Sequence, residues 1–389
     1  MSKLEELLAE LCPDGVENRS LENCCNILDR KRKPVTKSAR EAGEYPYYGA
    51  NGIQDYVSDY IFDGIFILVG EDGSVITSTG NPVVTWAEGK IWVNNHAHII
   101  EQNASGDVLL RYLFHYIQTI DVTPLIHGNI PKLTGGDFRA LQIPVPPLPV
   151  QSEIVRILDN FAELTAELTA ELTARRKQYE YYRDLLLTFN DAGTIIARQG
   201  ITDLRRAVKW FTIESLCDIR RGKVISKDFI RDNPGEYPVY SSQTENNGIL
   251  GLISEFVYDG DYLTWTTDGA NAGTIFYRSG RFNITNVCGL LKPTSDDINI
   301  RYLYFILSIT ADKYVSRGMG NPKLMSNVMA RIKIPVPPLE EQARIVSILD
   351  RFDALCNDLT SGLPAEIEAR KKQYEYYRDK LLTFKEKMA

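Results

Sequence analysis

Two histidines, His96 and His98, stand two residues apart, so on a strand both rings would project from one side and could chelate a metal. No acidic residue or cysteine adjoins them in sequence, and a packed or hydrogen-bonded role is the expectation. His115 and His127 complete the set of four. Six cysteines (Cys12, Cys24, Cys25, Cys217, Cys288, Cys356) show no CxxC spacing, which argues against a zinc site or a disulfide framework and for buried thiols. Phosphate loops of the GxxxxGK[ST] type, GxGxxG, HExxH and GxSxG are all missing. No catalytic residue and no metal ligand is assigned.

Basic residues carry a stronger pattern. Asp29 to Arg40 holds Arg30, Lys31, Arg32, Lys33, Lys37 and Arg40 against one acid, a net of +5 in a chain whose formal charge is −7. Arg220 to Arg231 holds Arg220, Arg221, Lys223, Lys227 and Arg231 against Asp228, a net of +4. Such clusters neutralise phosphates and fix register on a duplex without reading sequence. Base reading would fall to amide- and hydroxyl-rich loops: Asn51 in YGANGIQ, Ser241 and Gln243 in YSSQTENNGI, and Asn271 in TTDGANAGT, with Lys132 and Lys323 in the NIPKL and NPKL segments. The overall negative charge speaks against indiscriminate nucleic-acid binding and suits acidic helices facing protein partners.

The two clusters belong to a tandem duplication. IPVPPLPVQSEIVRILDNF from Ile143 returns from Ile334 at an offset of 191, and RRKQYEYYRDLLLTF from Arg175 returns from Arg370 at an offset of 195. The four-residue difference makes the second copy one helical turn longer. Weaker echoes pair Tyr45–Ile53 with Tyr237–Ile249, Glu71-Asp72-Gly73 with Thr267-Asp268-Gly269, and Cys25 with Cys217. The halves agree closely only in their last third, so one part does a shared job and the other has diverged.

The shared part reads as helix. Gln151 to Thr188 lacks Gly and Pro, while the prolines of IPVPPLP hold the preceding chain extended. Those 38 residues would make a rod about 57 Å long. Its apolar stripe runs through Ile154, Leu158, Phe161, Leu164, Leu168, Leu172, Tyr179 and Tyr182. The second copy's stripe runs through Ile345, Leu349, Phe352, Leu355, Leu359, Tyr374 and Tyr377. Two such stripes in one chain predict an antiparallel coiled coil. FAEL-TAEL-TAEL advances its leucines by about 400° per tetrapeptide, so they drift about 40° each time. Ser361-Gly362-Leu363-Pro364 should kink or restart the second helix.

The divergent part is read as a mixed α/β domain with a twisted sheet. Strands are expected at IFDGIFILVG, SVITST, KIWVNNHAHIIE, DYLTWTT, GTIFYRS and VCGLLK, with one helix at RYLFHYIQTI and one at RYLYFILSI. The fold expectation is α+β: two tandem domains with twisted sheets, separated by a long antiparallel two-helix coiled coil, in a pseudo-twofold repeat.

The repeated helical motifs, with the N-terminal KLEELLAELCPDGVE, resemble the specificity subunits of type I restriction-modification systems, of the subclass with TAEL-like repeats. The resemblance implies target recognition domains at 1–142 and 191–333, their reading portions near 17–142 and 202–333, and spacer helices at 143–190 and 334–389. Each domain would read half of a bipartite, asymmetric double-stranded DNA sequence. The helices would dock two methyltransferase subunits, which bring S-adenosylmethionine, while restriction subunits joined through them bring ATP and Mg. No cofactor is expected on this chain. With no run of 18 apolar residues, a cytoplasmic prokaryotic protein without a membrane span is expected. Rival readings are a stand-alone DNA-modifying or DNA-cleaving enzyme and a coiled-coil adaptor.

Overall fold

The computed structural model describes residues 2–73, 75–189, 208–318, 320–358 and 361–387. The chain forms two compact units, residues 1–169 with 366–389, and residues 170–365.

Unit 1 opens with α1 (Lys3–Leu11), whose start is closed by a capping box between Ser2 and Glu5. After it come β1 (Asn18–Ser20), α2 (Leu21–Cys24), β2 (Cys25–Ile27), β3 (Ala42–Gly49), β4 (Gly52–Val57), β5 (Phe62–Gly70), β6 (Val84–Val93) and β7 (Ala97–Gln102). The unit continues with α3 (Leu110–Ile117), β8 (Ile126–His127), β9 (Lys132–Leu133), α4 (Gly135–Ala140), β10 (Gln142–Pro144) and the long helix α5 (Leu148–Leu187), shared with unit 2. The main sheet has the order β2-β7-β5-β6-β3-β4, antiparallel except for β3 beside β6.

Unit 2 repeats this plan with β11 (Lys209–Thr212), α6 (Ile213–Leu216), β12 (Cys217–Arg221), α7 (Lys227–Asp232), β13 (Pro234–Tyr240), β14 (Ile249–Ile253), β15 (Tyr258–Asp259), β16 (Tyr262–Thr266), β17 (Ile275–Arg278), β18 (Arg281–Ile284) and β19 (Cys288–Pro293). It continues through α8 (Ile300–Thr310), α9 (Ser326–Arg331), β20 (Lys333–Val336) and α10 (Leu339–Asn357), and α11 (Leu363–Leu381) carries the chain back into unit 1. Here the sheet is split into β12-β19-β16-β17 and β14-β13-β18-β15.

The split has a local cause. In unit 1, Gly64 pairs with Gly89, which adopts φ +78° inside the continuous strand β6. In unit 2 the corresponding Gly260 and Gly280 exchange both backbone hydrogen bonds at 3.1 Å, and Gly280, at φ +84°, ends one strand before the next begins. The unit 1 sheet curls at this bend. Val93 lies toward the start of β5 and Ala97 beside its end, yet only three residues separate them. Phe62, Phe66, Leu68, Ile91, Val93 and Ile99 fill the inside of the curl.

Two expected strands need correction. SVITST forms no strand among its described residues, only a bridge from Ile76 to Pro82, and KIWVNNHAHIIE is the end of β6, a turn and β7. Pro149 stands in the first turn of α5, not in an extended lead, because its missing N–H removes no helical bond there. The second copy is not one continuous helix: α10 ends at Asn357, Asp358 is extended and α11 begins at Leu363, with Gly362 N–H donating to the Asp358 carbonyl at 3.1 Å. A Cβ on Gly362 would stand 2.6 Å from the Ala354 carbonyl oxygen, so only glycine closes this corner.

The near-identical motifs build the same joint twice. In unit 1 the buried Gln151 accepts from Leu109 N–H at 2.8 Å and donates to the Asp107 and Pro146 carbonyls. In unit 2 the buried Gln342 accepts from Asn299 N–H at 2.8 Å and donates to the Asp297 and Pro337 carbonyls. The hydroxyls of Tyr112 and Tyr302 donate to Pro144 and Pro335, each at 2.8 Å. Arg111 to Asp159 and Arg301 to Asp350 complete the pattern. Ile154, Leu158, Ile345 and Leu349 are fully buried beneath it.

Helix pairing occurs within each unit. Phe161 stacks on Tyr377 in unit 1, and Tyr182 stacks on Phe352 in unit 2 with Tyr179 beside it. In unit 2 the sense is antiparallel, since Arg176 reaches the Cys356 carbonyl while Tyr182 meets Phe352. The stripe is not uniformly buried. Leu164 is 46% exposed, because ten residues beyond Ile154 it has turned about 80° off the buried direction. Leu168 and Leu172 drift back and are half-buried, Leu355 is exposed, and Leu359 lies outside the described residues.

One joint titrates. His115, buried in α3, lies 2.8 Å from Asp159 through Nε2 and 3.0 Å from the Tyr374 hydroxyl through Nδ1. Burial pushes its pKa below the usual 6.5, and Asp159 only partly opposes this. The native state therefore resists a proton that the unfolded chain accepts. The associated stability is full above about pH 6.5 and falls as pH drops below that value. His115→Phe, which copies Phe305 of unit 2, should flatten the fall in melting temperature between about pH 7 and pH 5 relative to wild type. Parallel pH profiles for the two proteins would contradict this.

Candidate nucleic-acid interface

In unit 1 the loops meet around the β6–β7 turn, Asn94–His96. Asn94 N–H donates to the Tyr48 carbonyl, Glu71 N–H to His96, Gly73 N–H to Pro131 and Leu133 N–H to Glu71, over 2.8 to 3.1 Å. Unit 2 repeats every tie: Thr285 to Tyr240, Thr267 to Val287, Gly269 to Pro322 and Leu324 to Thr267, over 2.9 to 3.2 Å. The β3–β4 hairpin and its unit 2 counterpart thus join the 71–73, 94–96 and 129–133 segments, or their equivalents, in one backbone frame. Different side chains occupy that frame in the two units.

An arginine from each basic cluster clamps this frame. Arg32 donates to Glu71 at 2.6 Å, to the Ala97 carbonyl at 2.6 Å and to the Asn95 carbonyl at 3.5 Å. Arg221 donates to the Thr267 hydroxyl and to the Asn286 carbonyl, both at 3.0 Å. Asn286 corresponds to Asn95 and Thr267 to Glu71, so the two arginines do one job from positions that the duplication does not align. Arg32 is 11% exposed and Arg221 half-buried, and each engages acceptors of its own unit.

The clamps place the remaining cations beside the loops. Arg30, Lys31 and Lys33 are exposed, with Lys33 N–H bonded to the Val93 carbonyl, and Lys132 is exposed 3.3 Å from Glu71. Asn51 is exposed at the tip of the β3–β4 hairpin. In unit 2, Lys223 bridges to Thr285 and Lys323 to Asp268, while Ser241 accepts from the Thr285 hydroxyl at 3.2 Å and Asn271 donates to Thr244 at 2.9 Å. Gln243 is bonded to the Ile249 carbonyl, which orients its amide.

The outer members of each cluster are placed elsewhere. Arg40 is held by Asp55 and lies 4.1 Å from the Tyr47 ring centre, and Lys37 is exposed one short turn before it. Arg220 pairs with Asp218. Lys227 and Arg231 stand on α7, where Asp228 and Asp232 flank Arg231 and remove the local charge surplus. One residue of the frame carried no signal in the sequence. Arg278 is buried, lies 3.6 Å from the Tyr240 ring centre and donates to Asn247 at 3.0 Å in the β13–β14 loop.

The histidine pair divides. His98 is fully buried, stacked on Phe138, 2.7 Å from Asp29 through Nδ1 and 3.0 Å from the Leu133 carbonyl through Nε2. The acidic companions missing from its sequence neighbourhood are supplied from a distance, since Asp29, Glu71 and His98 place ligand atoms within 4.8 Å of one another. Arg32, Lys132 and Arg139 neutralise the two carboxylates, and both imidazole nitrogens are engaged, so the group is an ion-pair network. Burial alone would raise the Asp29 carboxyl; His98 and Arg32 outweigh it and hold the group below the usual carboxylate range.

Unit 2 builds the same support by another route. Trp265, opposite Gly289, donates to the Leu324 carbonyl at 2.9 Å, the acceptor equivalent to Leu133. His98 on one strand and Trp265 on the next thus fill corresponding space. Five cysteines are buried, and burial pushes Cys24 up to about 11 and Cys217 and Cys288 each up to about 12, so these three are inert thiols.

A sequence profile described as the type I restriction modification DNA specificity domain matches residues 13–175 and again 206–369. The chain belongs to the type I restriction-modification DNA specificity family. A Haemophilus influenzae chain named as a type I restriction enzyme specificity subunit is 36% identical over 391 residues, covering 95% of this chain and 96% of that one. A Mycoplasma pneumoniae type I specificity subunit is 43% identical over 255 residues, 66% of this chain and 91% of the relative. The crystal structure of a type I S subunit from M. genitalium superposes with a TM-score of 0.61 at 17% identity, covering 94% of each chain, which places the fold. The two profile matches coincide with the two copies of the loop frame, one per unit. Membership assigns the chain the specificity role, not the catalytic one, in a type I system. No described helix is long and apolar enough to cross a membrane.

Proposed function

We propose that each unit of this specificity-family chain reads one half of a bipartite, asymmetric duplex target. The reading portions are about 17–142 and 202–333, and the segments 143–190 and 334–389 serve as spacer and docking helices; residues 190, 202–207, 359–360 and 388–389 of these lie outside the described residues. The observation that carries this is the doubled backbone frame, identical in its ties and different in its side chains, with exposed cations at its rim. Arg30, Lys31, Lys33 and Lys132 in unit 1, and Lys223 and Lys323 in unit 2, contact phosphate and set register. Asn51 in unit 1 and Ser241, Gln243 and Asn271 in unit 2 face base edges.

The repeated joints and helix faces hold two copies of one partner, the methyltransferase subunit, which supplies S-adenosylmethionine. Restriction subunits joined through it supply ATP and Mg. Tyr181 and Tyr376, exposed at equivalent positions and packed edge-on against Tyr182 and Tyr377 at 5.4 and 5.3 Å, suit an aromatic anchor for that partner. In a complex with purified methyltransferase subunits, the chain should bind its cognate duplex at least about a thousandfold tighter than a scrambled one at physiological salt. Equal affinity for both duplexes would defeat the proposal.

A further inference from the structure

We infer that His96 is a base-reading residue of the first half-site, aimed by Asp72; this rests on the reading of the loop frame as the DNA interface. The backbone of its turn is pinned on every side. His96 N–H donates to the Asn94 side chain at 2.8 Å, its carbonyl accepts from Glu71 N–H at 2.8 Å, and the Asn95 carbonyl accepts from Arg32. Asn94 is itself buried and donates to Gln54 at 3.3 Å. Beneath the turn, the His98–Asp29–Arg32–Glu71 network closes the support.

On this rigid platform the His96 ring is 48% exposed, and its Nδ1 contacts the Asp72 carboxylate. That contact fixes the ring plane and assigns the Nδ1 hydrogen. Among the described residues Nε2 has no hydrogen-bond partner. A fixed backbone, an oriented ring and one unused nitrogen meet the geometric requirement for a directed bond to a base edge. Lys132 bridges to Asp72 through the backbone, and its ammonium lies 3.3 Å from Glu71, the residue before Asp72. A merely structural pair would gain little from a half-exposed imidazole, since surface ion pairs contribute little to stability.

The second unit lacks the device. Val287 stands where His96 does, and Asp268, the counterpart of Asp72, makes a backbone bridge to Lys323. The imidazole therefore discriminates in one half of the target only.

The test is selection of bound duplexes from a library randomised over both half-sites, using the chain assembled with its methyltransferase subunits. His96→Ala should lower base preference roughly five- to tenfold at one position of one half-site, leaving the other positions and the second half-site unchanged. Asp72→Asn should weaken preference at that same position by a smaller factor, and His96→Gln should restore part of it. A uniform loss across all sequences, a change in the second half-site, or an unchanged profile would overturn the inference. A wild-type complex without bipartite preference would instead defeat the reading of the interface itself, so the two failures are distinct.

Discussion

Gly289→His alone should unfold the second unit, and the same substitution made together with Trp265→Val should restore much of its stability. A Cβ at Gly289 would stand 2.2 Å from the Trp265 ring, a distance no side chain tolerates, and the ring is fully buried. Overpacking of that degree is expected to cost more than about 3 kcal/mol. Trp265→Val alone removes a buried indole and leaves the Leu324 carbonyl without its donor, a loss of roughly 3–5 kcal/mol. The double substitution recreates the Val69 and His98 pairing of unit 1, with imidazole again able to reach the carbonyl. Recovery should be incomplete, because Met329 stands where Phe138 stacks on His98 and Arg221 aligns with Asp29. A double-mutant cycle in thermal unfolding should give a favourable coupling of about 2–3 kcal/mol. Additive losses would show that the two solutions are not equivalent.

Removing Thr165 to Leu168 should change the spacing between half-sites while leaving the sequence of each half-site unaltered. The deletion lies within α5, where Thr165 and Thr169 both bond back to carbonyls four residues earlier, so Thr169 simply takes the place of Thr165. The rod shortens by about 6 Å, and the helix beyond the deletion rotates by about 40°. Affinity for the original spacing should fall roughly a hundredfold, because the two heads can no longer engage together, and a target with about two fewer base pairs should recover it. Selection from libraries of varied spacer length measures both effects. Unchanged spacing after the deletion would mean that α5 does not set the distance.

How much of this was readable in advance depended on how local each cause was. The long helix α5 announced itself through a stretch without Gly or Pro, and the break near Gly362 and Pro364 through residues that cannot continue a helix. The drift of the tetrapeptide leucines was arithmetic, and it explains why Leu164 is exposed. The curl of the unit 1 sheet was hidden, because it depends on register across Gly64 and Gly89, which neither glycine specifies by itself.

The interface was partly legible for the same reason. Both basic clusters and the amide-rich loops were visible, yet nothing in RKRK or RRGK distinguishes a clamp from a phosphate contact. Arg32 and Arg221 are clamps because Asn95, Ala97, Thr267 and Asn286 reach them through the fold. His98 lacked an acid nearby because Asp29 lies 69 residues earlier in the chain. The joints at Gln151 and Gln342 did leave a signal, since the repeated IPVPP motif keeps a glutamine in both copies, but its reason needed the carbonyls it meets.

The most direct measurement of the two-headed reading is an exchange of residues 202–333 for the matching segment of a family member with a different target, combined with mapping of methylated adenines in cells carrying the assembled complex. One half of the recognised sequence should switch to that of the donor, the other half should stay, and the spacer should keep its length. A change in both halves, or in neither, would contradict the assignment of one half-site to each unit.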